Sequence, residues 1–440
     1  MSIVKIDRYT VKDKNLKNVT HRYIVISCIL LASLLALGGC ATSPSPVQSA
    51  PALSGTPATP RTPSVTRQVL NSRQAATLSP SGGDSRWNIP PGSVLIAVNR
   101  VYGSTVGVVM PDNRILMSDS PAASVDNVQA SRLGPRLAYI SMPGIDPGDN
   151  FIETVELPSG RTQQVKNSKG FAIFGFALAP DGKLVALSEA ALAGTSSQQV
   201  SWRLLTADMQ SGQVRQVMSS DNAPADMGES VPVPFAWSQT TGDVYLRALR
   251  PFRGGGGEGI WAMRPDGSGL RRLLQENEFV GMPLLSPDGA RFAYLASDLE
   301  ALPAGLVSSV GEPPGNILLV KDLKTGRASV VSKEKDRAIG PLSWSRDGGA
   351  LITSRREWVD DRLRDTAIVA FSVEDSSERQ VLSLPQDSNV RNIFDLGIYG
   401  LLWVNEGREG SDLMVSRGTG PLASILTIPR GQIKIVGYLN

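Results

Sequence analysis

Histidine and cysteine are nearly missing from this 440-residue chain, which has one His and two Cys. All three, His21, Cys28 and Cys40, fall at its start, and residues 41–440 contain neither type. A domain built from that stretch has no histidine base, no Ser–His or Cys–His nucleophile pair, no His/Cys zinc site and no histidine-ligated haem. It also cannot close a disulfide on itself. Carboxylate, Lys, Tyr or Arg chemistry is what remains, or no catalysis. The G-x-S-x-G elbow and the G-x-x-x-x-G-K-[ST] phosphate loop are absent as well. Charge is sparse, at 19% of residues against about 25% in an average soluble domain. Forty-four Lys and Arg face 41 Asp and Glu, a net +3 with no long block of one sign. No nucleic-acid partner is expected from such a balance.

What is present begins with a basic leader, Lys5, Arg8, Lys12, Lys14, Lys17 and Arg22, followed by the apolar run "YIVISCILLASLLAL" from Tyr23 to Leu37. That run is shorter than the ~20 residues that span a bilayer comfortably and has the order of a secretory signal. An uncleaved transmembrane anchor is the alternative, and the next four residues argue against it. Leu37-Gly38-Gly39-Cys40 resembles the lipobox of bacterial lipoproteins. The resemblance implies cleavage between Gly39 and Cys40, a diacylglyceryl group on the Cys40 sulfur and a further acyl chain, of the palmitate kind, on the freed amine. Small residues at 38 and 39 suit that chemistry, because bulk would block both the alkylating and the cutting active site. Two or more chains anchor a protein stably, at about 0.8 kcal/mol per buried CH₂. The expected location is therefore extracytoplasmic, with Cys40 held in the lipid bilayer of the cell membrane, or of the outer membrane where the source has one. His21 and Cys28 leave with residues 1–39.

Residues 40–90 read as a lipidated Cys and a disordered tether. "ATSPSPVQSAPALSGTPATPRTPSVTRQ" is dominated by Ser, Thr, Pro and Ala and has no aromatic residue, so it cannot bury enough apolar surface to order itself. As a flexible coil it spans on the order of 40 Å.

Residues 91–440 repeat. "FALAPDGKLVALSE" (176–189), "FAWSQTTGDVYLRA" (235–248), "PLLSPDGARFAYLAS" (283–297) and "PLSWSRDGGALITSR" (341–355) are copies of one hairpin, with weaker copies at 130–141 and 394–406. Each is a short apolar strand, a Pro-Asp-Gly-type turn and an alternating strand. A second hairpin follows each, as in "GIWAMRPDGSGLRRLL" (259–274) and "NILLVKDLKTGRASVVS" (316–332). Four antiparallel strands recurring about every 47 to 60 residues are the signature of a β-propeller blade; an irregular β-sandwich is the alternative. The pairing of "LLSPDGARFAYLAS" with "GIWAMRPDGSGLRRLL" resembles the blade repeat of the TolB-like propellers, relatives of the WD-repeat proteins. That resemblance implies a fold more than a function. The fold expected is all-β, with seven blades of four strands, six or eight being the alternatives. Three strands between Ser93 and Ser120 lack a first strand, and "GQIKIVGYLN" is left over at the end; pairing the two closes the ring and removes exposed edges.

In such a meander the short Pro-Asp-Gly and Thr-Gly turns share one face, and the connections between a blade's two hairpins share the other. The latter read as long: 143–150, 191–199, 250–259, 298–315 and 356–365. Long connections gathered on one rim are where binding concentrates. Within them Phe252, Arg253, Trp358 and Asp361, beside Asp360 and Asp365, mix aromatic and charged side chains suited to a partner surface; solvated loop residues are the plain alternative. "GGGG" (254–257) reads as a flexible loop and "DPGDN" (146–150) as a turn without Ca²⁺-loop spacing. "SRDGGALI" (345–352) resembles the sialidase Asp-box without its terminal aromatic, and "DLKTGRASV" (322–330) a quinoprotein blade motif without its tryptophan; both read as hairpin turns. No catalytic residue, metal site or cofactor is expected.

The functional expectation is a membrane-anchored binding or scaffolding module for an envelope protein or glycan. The competing expectation is a glycosidase or lyase acting on envelope polysaccharide, which needs two carboxylates facing across the channel, about 5 to 9.5 Å apart for glycoside hydrolysis.

Overall fold

The computed structural model describes Pro90 and residues 92–100, 103–117, 125–134, 136–141, 147–156, 161–191, 200–227, 230–249, 257–303, 314–359, 362–417 and 422–439. Residues 1–89, with Gly39 and Cys40 of the expected signal segment and tether, and Phe252, Arg253 and Asp361 lie outside the described residues.

The described chain is a meander of strands. β1 (Ser93–Arg100), β2 (Gly103–Val109) and β3 (Ile115–Met117) open blade 1. Blade 2 holds β4 (Val125–Ala130), β5 (Arg136–Ser141), β6 (Phe151–Glu156) and β7 (Arg161–Lys166). Blade 3 holds β8 (Phe171–Leu178), β9 (Leu184–Ala191), β10 (Trp202–Asp208) and β11 (Val214–Ser219). Blade 4 holds β12 (Val231–Trp237), β13 (Val244–Leu249), β14 (Gly257–Met263) and β15 (Arg271–Leu274). In blade 5 are β16 (Val280–Leu285), β17 (Arg291–Ala296), β18 (Ile317–Asp322) and β19 (Ala328–Lys333). Blade 6 comprises β20 (Arg337–Trp344), β21 (Ala350–Val359), β22 (Arg362–Ser372) and β23 (Glu378–Ser383). Blade 7 comprises β24 (Val390–Asp395), β25 (Leu401–Glu406), β26 (Gly410–Ser416) and β27 (Ala423–Pro429).

The last strand, β28 (Gly431–Leu439), returns to blade 1 and pairs antiparallel with β1, from Ser93 opposite Leu439 to Arg100 opposite Gly431. Seven four-stranded sheets result, and the ring is closed by the two ends of the described chain. First strands touch the first strands of neighbouring blades, β4 with β8, β8 with β12, β16 with β20, β20 with β24, β24 with β28 and β28 with β4. They therefore surround the central channel.

Burial follows from this stacking. A second strand such as β9, "LVALSEAA", is covered on both sides by neighbouring sheets and is buried from Val185 to Ala190, with Ser188 and Glu189 buried among the apolar side chains. Outer strands such as β11 and β19 start with three exposed residues each. Each of the seven interfaces between successive blades holds its own apolar cluster. The largest side chains sit there: Trp202, Trp237 and Trp261 between blades 3 and 4, Trp344 between 5 and 6, and Trp403 between 6 and 7. Truncating one such buried Trp to Ala costs about 3 to 5 kcal/mol. The closing interface is as apolar as the rest, with Val94, Ile96 and Val98 of β1 and Ile433 and Ile435 of β28 against Leu402, Val404 and Leu413 of blade 7.

The turn chemistry is visible at Gly289, in the Pro-Asp-Gly turn between β16 and β17. Its φ is +73°, and a Cβ there would come within 2.8 Å of Ser238 Oγ in the preceding blade. Both facts require glycine.

One expected loop is strand. Residues 356–365 were placed among the long connections, but β21 runs to Val359 and β22 begins at Arg362. The charged composition of "REWVDDRLRD" conceals a ladder in which Arg356 faces Asp365, Glu357 faces Arg364 and Trp358 faces Leu363.

Candidate functional site

The two faces of the ring differ. On the turn face, the first hairpins of blades 3, 5, 6 and 7 are held by the blade before them: Arg136 Nη1 donates to Gly182 O at 3.0 Å, Ser238 Oγ to Gly289 O at 2.7 Å, Arg291 Nη2 to Gly348 O at 2.9 Å, and the Arg346 N–H to Asp395 Oδ2 at 2.9 Å. The channel mouth on this face is crossed. Arg132, in the β4–β5 turn of blade 2, donates from Nη1 to Ser286 O at 2.6 Å and Pro287 O at 2.9 Å in blade 5, three blades away. Burial pulls its pKa down while the nearby Asp288 opposes the shift; an arginine stays charged under such a perturbation.

The channel wall carries a repeated irregularity. In every blade the pairing of the first strand with the second skips residues: Asn127 and Val128, Phe174, Phe235, Gly281 to Pro283, Gly340 and Pro341, Arg391, and Val436 in blades 2 to 7 and 1 respectively. A bulged residue leaves the ladder and its side chain is re-aimed. Because these strands surround the channel, the bulges set its lining. Phe174 and Met282 are 40% and 44% exposed, unusual for large apolar side chains. Blades 3 and 5 thus supply exposed apolar side chains, Phe174 and Met282, and blades 7 and 2 polar ones, Arg391 and Asn127, whereas Phe235 turns onto Phe292 in the cluster between blades 4 and 5. Arg247 Nη1 lies 3.6 Å from Met282 Sδ.

On the other face lie the connections between hairpins, of which 142–146, 192–199, 250–256 and 304–313 are outside the described residues. Trp358 is half-buried and packs with Leu302, Ala338 and Leu363. Asp365, grouped from sequence with the acidic surface of Asp361, is instead 3% exposed. Its Oδ1 accepts from Ser354 Oγ and from Arg356 Nε at 3.0 Å, and its Oδ2 from the Val390 N–H at 2.7 Å. Arg356 Nη2 donates in turn to Val390 O at 2.9 Å. The pair latches blade 6 to the first strand of blade 7. Asn150, from the "DPGDN" turn, does the same for blades 2 and 3, gripping both backbone groups of Ile173 at 2.9 Å.

Two clefts open on this face, each of about 380 Å³. The blade 5 cleft is lined by Asp298, Glu300, Lys333 and Lys335. There Lys333 Nζ lies 2.8 Å from Asp298; that contact holds the Asp298 carboxyl below its ordinary pKa and raises that of Lys333. The second cleft lies at the seam between blades 7 and 1 and is lined by Asn99, Glu406, Arg408, Arg430 and Gln432, with Gly407, Gly410 and Gly431. Sequence reasoning did not single these residues out. Their one signal is an Arg flanked by Gly in two short turns, "EGREG" and "PRGQ".

Among the described residues, no group of three His, Cys, Asp or Glu is placed to hold a metal ion. The first strands carry two carboxylates in sequence, Asp126 and Asp395, and the side chain of Asp126 is outside the described ones. Both oxygens of Asp395 are engaged, Oδ2 by the Arg346 N–H and Oδ1 by the Gly397 N–H at 2.9 Å.

No family model and no curated protein sequence matches the chain. Solved structures do. An oligogalacturonate lyase in complex with manganese superposes with a TM-score of 0.50 at 12% identity, covering 74% of this chain and 90% of the lyase. An oligogalacturonate lyase from Vibrio parahaemolyticus gives 0.48 at 12%, covering 72% and 88%. TolB from Acinetobacter baumannii gives 0.40 at 16%, covering 67% and 64%. The likeness is one of fold. At these identities it assigns no chemistry.

Proposed function

We propose that this chain is an extracytoplasmic lipoprotein, anchored in the bilayer through an acylated Cys40, whose propeller binds an envelope protein or glycan through the face carrying the inter-hairpin connections. One observation carries the choice of face: both clefts open there, whereas the opposite mouth of the channel is crossed by Arg132. The lipobox-like sequence supports the anchor, and the Ser/Thr/Pro/Ala-rich stretch after it supplies the reach that a tethered ring needs. Phe252, Arg253 and Asp361, outside the described residues, and Trp358, on β21, are the partner residues of this reading.

The carboxylate-enzyme reading draws no support from the described first strands, where the one carboxylate side chain, Asp395, is committed to a turn. The test of the binding reading is crosslinking from membranes with residues 250–256 exchanged for a neutral Gly/Ser segment and with Trp358→Ser, which leaves the Arg356–Asp365 pair in place. A captured partner is expected to be lost; unchanged recovery would overturn the reading. Cys40→Ser is expected to release the protein from the membrane fraction.

A further inference from the structure

We propose that the seam cleft between blades 7 and 1 is an anion site for a small hydroxylated acid, a sugar acid or a sugar phosphate, with Arg408 and Arg430 holding its charged group. The two clefts of this face have the same volume but opposite electrostatic states. In the blade 5 cleft the lysine and aspartate satisfy each other. At the seam the only lining carboxylate among the described residues, Glu406, is taken by Arg391 Nε from the first strand of blade 7. The guanidinium groups of Arg408 and Arg430 then have no hydrogen bond or ion pair among the described residues. Two free guanidinium forks on one cleft of this size match a carboxylate or phosphate, which they bind in bidentate fashion.

Backbone geometry supports a placed arginine. Arg430 has φ +52°, a value that a long side chain rarely adopts. Its N–H donates to Glu409 O at 2.6 Å, and a Cβ on Gly410 would overlap the Ile428 carbonyl, so this turn is packed in one arrangement. The hydroxylated body follows from Asn99. Its Oδ1 is buried with no hydrogen-bond partner among the described residues, an acceptor whose desolvation a ligand hydroxyl would offset. Gln432 adds a second amide to the lining. The volume is at the lower end of small-ligand sites, enough for one sugar ring.

The seam variants leave residues 250–256 and Trp358 unaltered, and small-acid affinity is read apart from partner capture, so the two tests fail independently. The lipidated full chain in detergent is titrated calorimetrically with glucuronate, glucose 6-phosphate and glucose. Either acid is expected to bind at least about tenfold more tightly than glucose, and the tighter of the two names the charged group. Binding should weaken with salt. The Arg408→Ala/Arg430→Ala double variant should lose at least about tenfold in affinity, and Arg408→Lys/Arg430→Lys, which keeps the charge, should lose less. Equal affinity for glucose and the acids, an unchanged affinity in the double Ala variant, or no acid binding up to about 10 mM would each overturn the proposal.

Discussion

The β21–β22 hairpin of blade 6 and the seam between blades 7 and 1 lie on the same face and are both rich in arginine, yet they use it oppositely. In the hairpin, Arg356 is consumed by Asp365 and by the Val390 carbonyl, and the charge is structural. At the seam, the carboxylate that could have neutralised Arg408 or Arg430 is drawn off by Arg391 on the adjacent strand. Residue type does not separate the two; the position of the nearest counter-charge does. A charge that is paired and buried holds blades together, and one left free beside a cleft is available to a ligand.

The comparison can be broken first at Asp365. Removing one partner of a buried ion pair leaves the other uncompensated, so Asp365→Ala is expected to lose about 3 to 5 kcal/mol of unfolding free energy in a denaturant titration. Asp365→Asn, which keeps an acceptor for the Val390 N–H, should lose less. A midpoint within about 1 kcal/mol of the parent would deny the latch, and seam binding of acids should persist in any folded Asp365 variant.

A smaller effect separates two left-handed positions, one on the turn face of blade 6 and one at the seam. Ser376, in the β22–β23 turn, has φ +59° where other blade turns place glycine. Replacing Ser376 or Arg430 by Gly relieves the left-handed strain and adds unfolded-state entropy, for a net gain of about 0.5 kcal/mol in each case. Only Arg430→Gly should also weaken acid binding. Loss of binding in both variants would mean that turn rigidity, and not the guanidinium, is what matters.

The smallest effect concerns the paired cleft of blade 5. Asp298 is lowered by the Lys333 contact, so the sign is that of a carboxylate stabilised when charged: its contribution is present above the unfolded value near 4 and lost as pH falls through the lower folded value. Lys333, raised by the same contact, contributes below its unfolded value near 10 and loses that as pH rises through the folded one. Lys333 is exposed and Asp298 partly so, and solvent screens the pair, so the readout is an NMR titration and not a stability curve. Lys333→Ala should move the Asp298 midpoint upward and leave acid binding at the seam unchanged; a midpoint that stays put would remove Lys333 as the cause.

Much of the fold was legible because its determinants are local. A Pro-Asp-Gly turn between an apolar and an alternating strand specifies a hairpin wherever it occurs, and "GQIKIVGYLN", unpartnered at one end, matches the incomplete first blade at the other. The β21–β22 extension was misread because Asp360 and Asp361 look like loop chemistry, while the ladder beyond the turn is fixed by cross-strand partners such as Arg356 and Asp365. The bulges at Phe174, Met282 and Arg391 were equally hidden, since skipping a residue depends on the register of two strands and not on either one.

By itself, the sequence determined that residues 41–440 work without histidine or thiol chemistry and that the repeated hairpins make the blades of a ring; it favoured seven blades and a closure by the chain's ends, with six or eight left open until the structure showed seven sheets. These follow from residue type and from short-range spacing. Tertiary structure alone decided which side chains enter the channel, which mouth Arg132 crosses, and which arginines remain free. Those outcomes rest on distances between groups far apart in the chain, Arg132 to Ser286 and Asn99 to Arg430 among them, and a linear pattern carries no information about which opposite charge will arrive first.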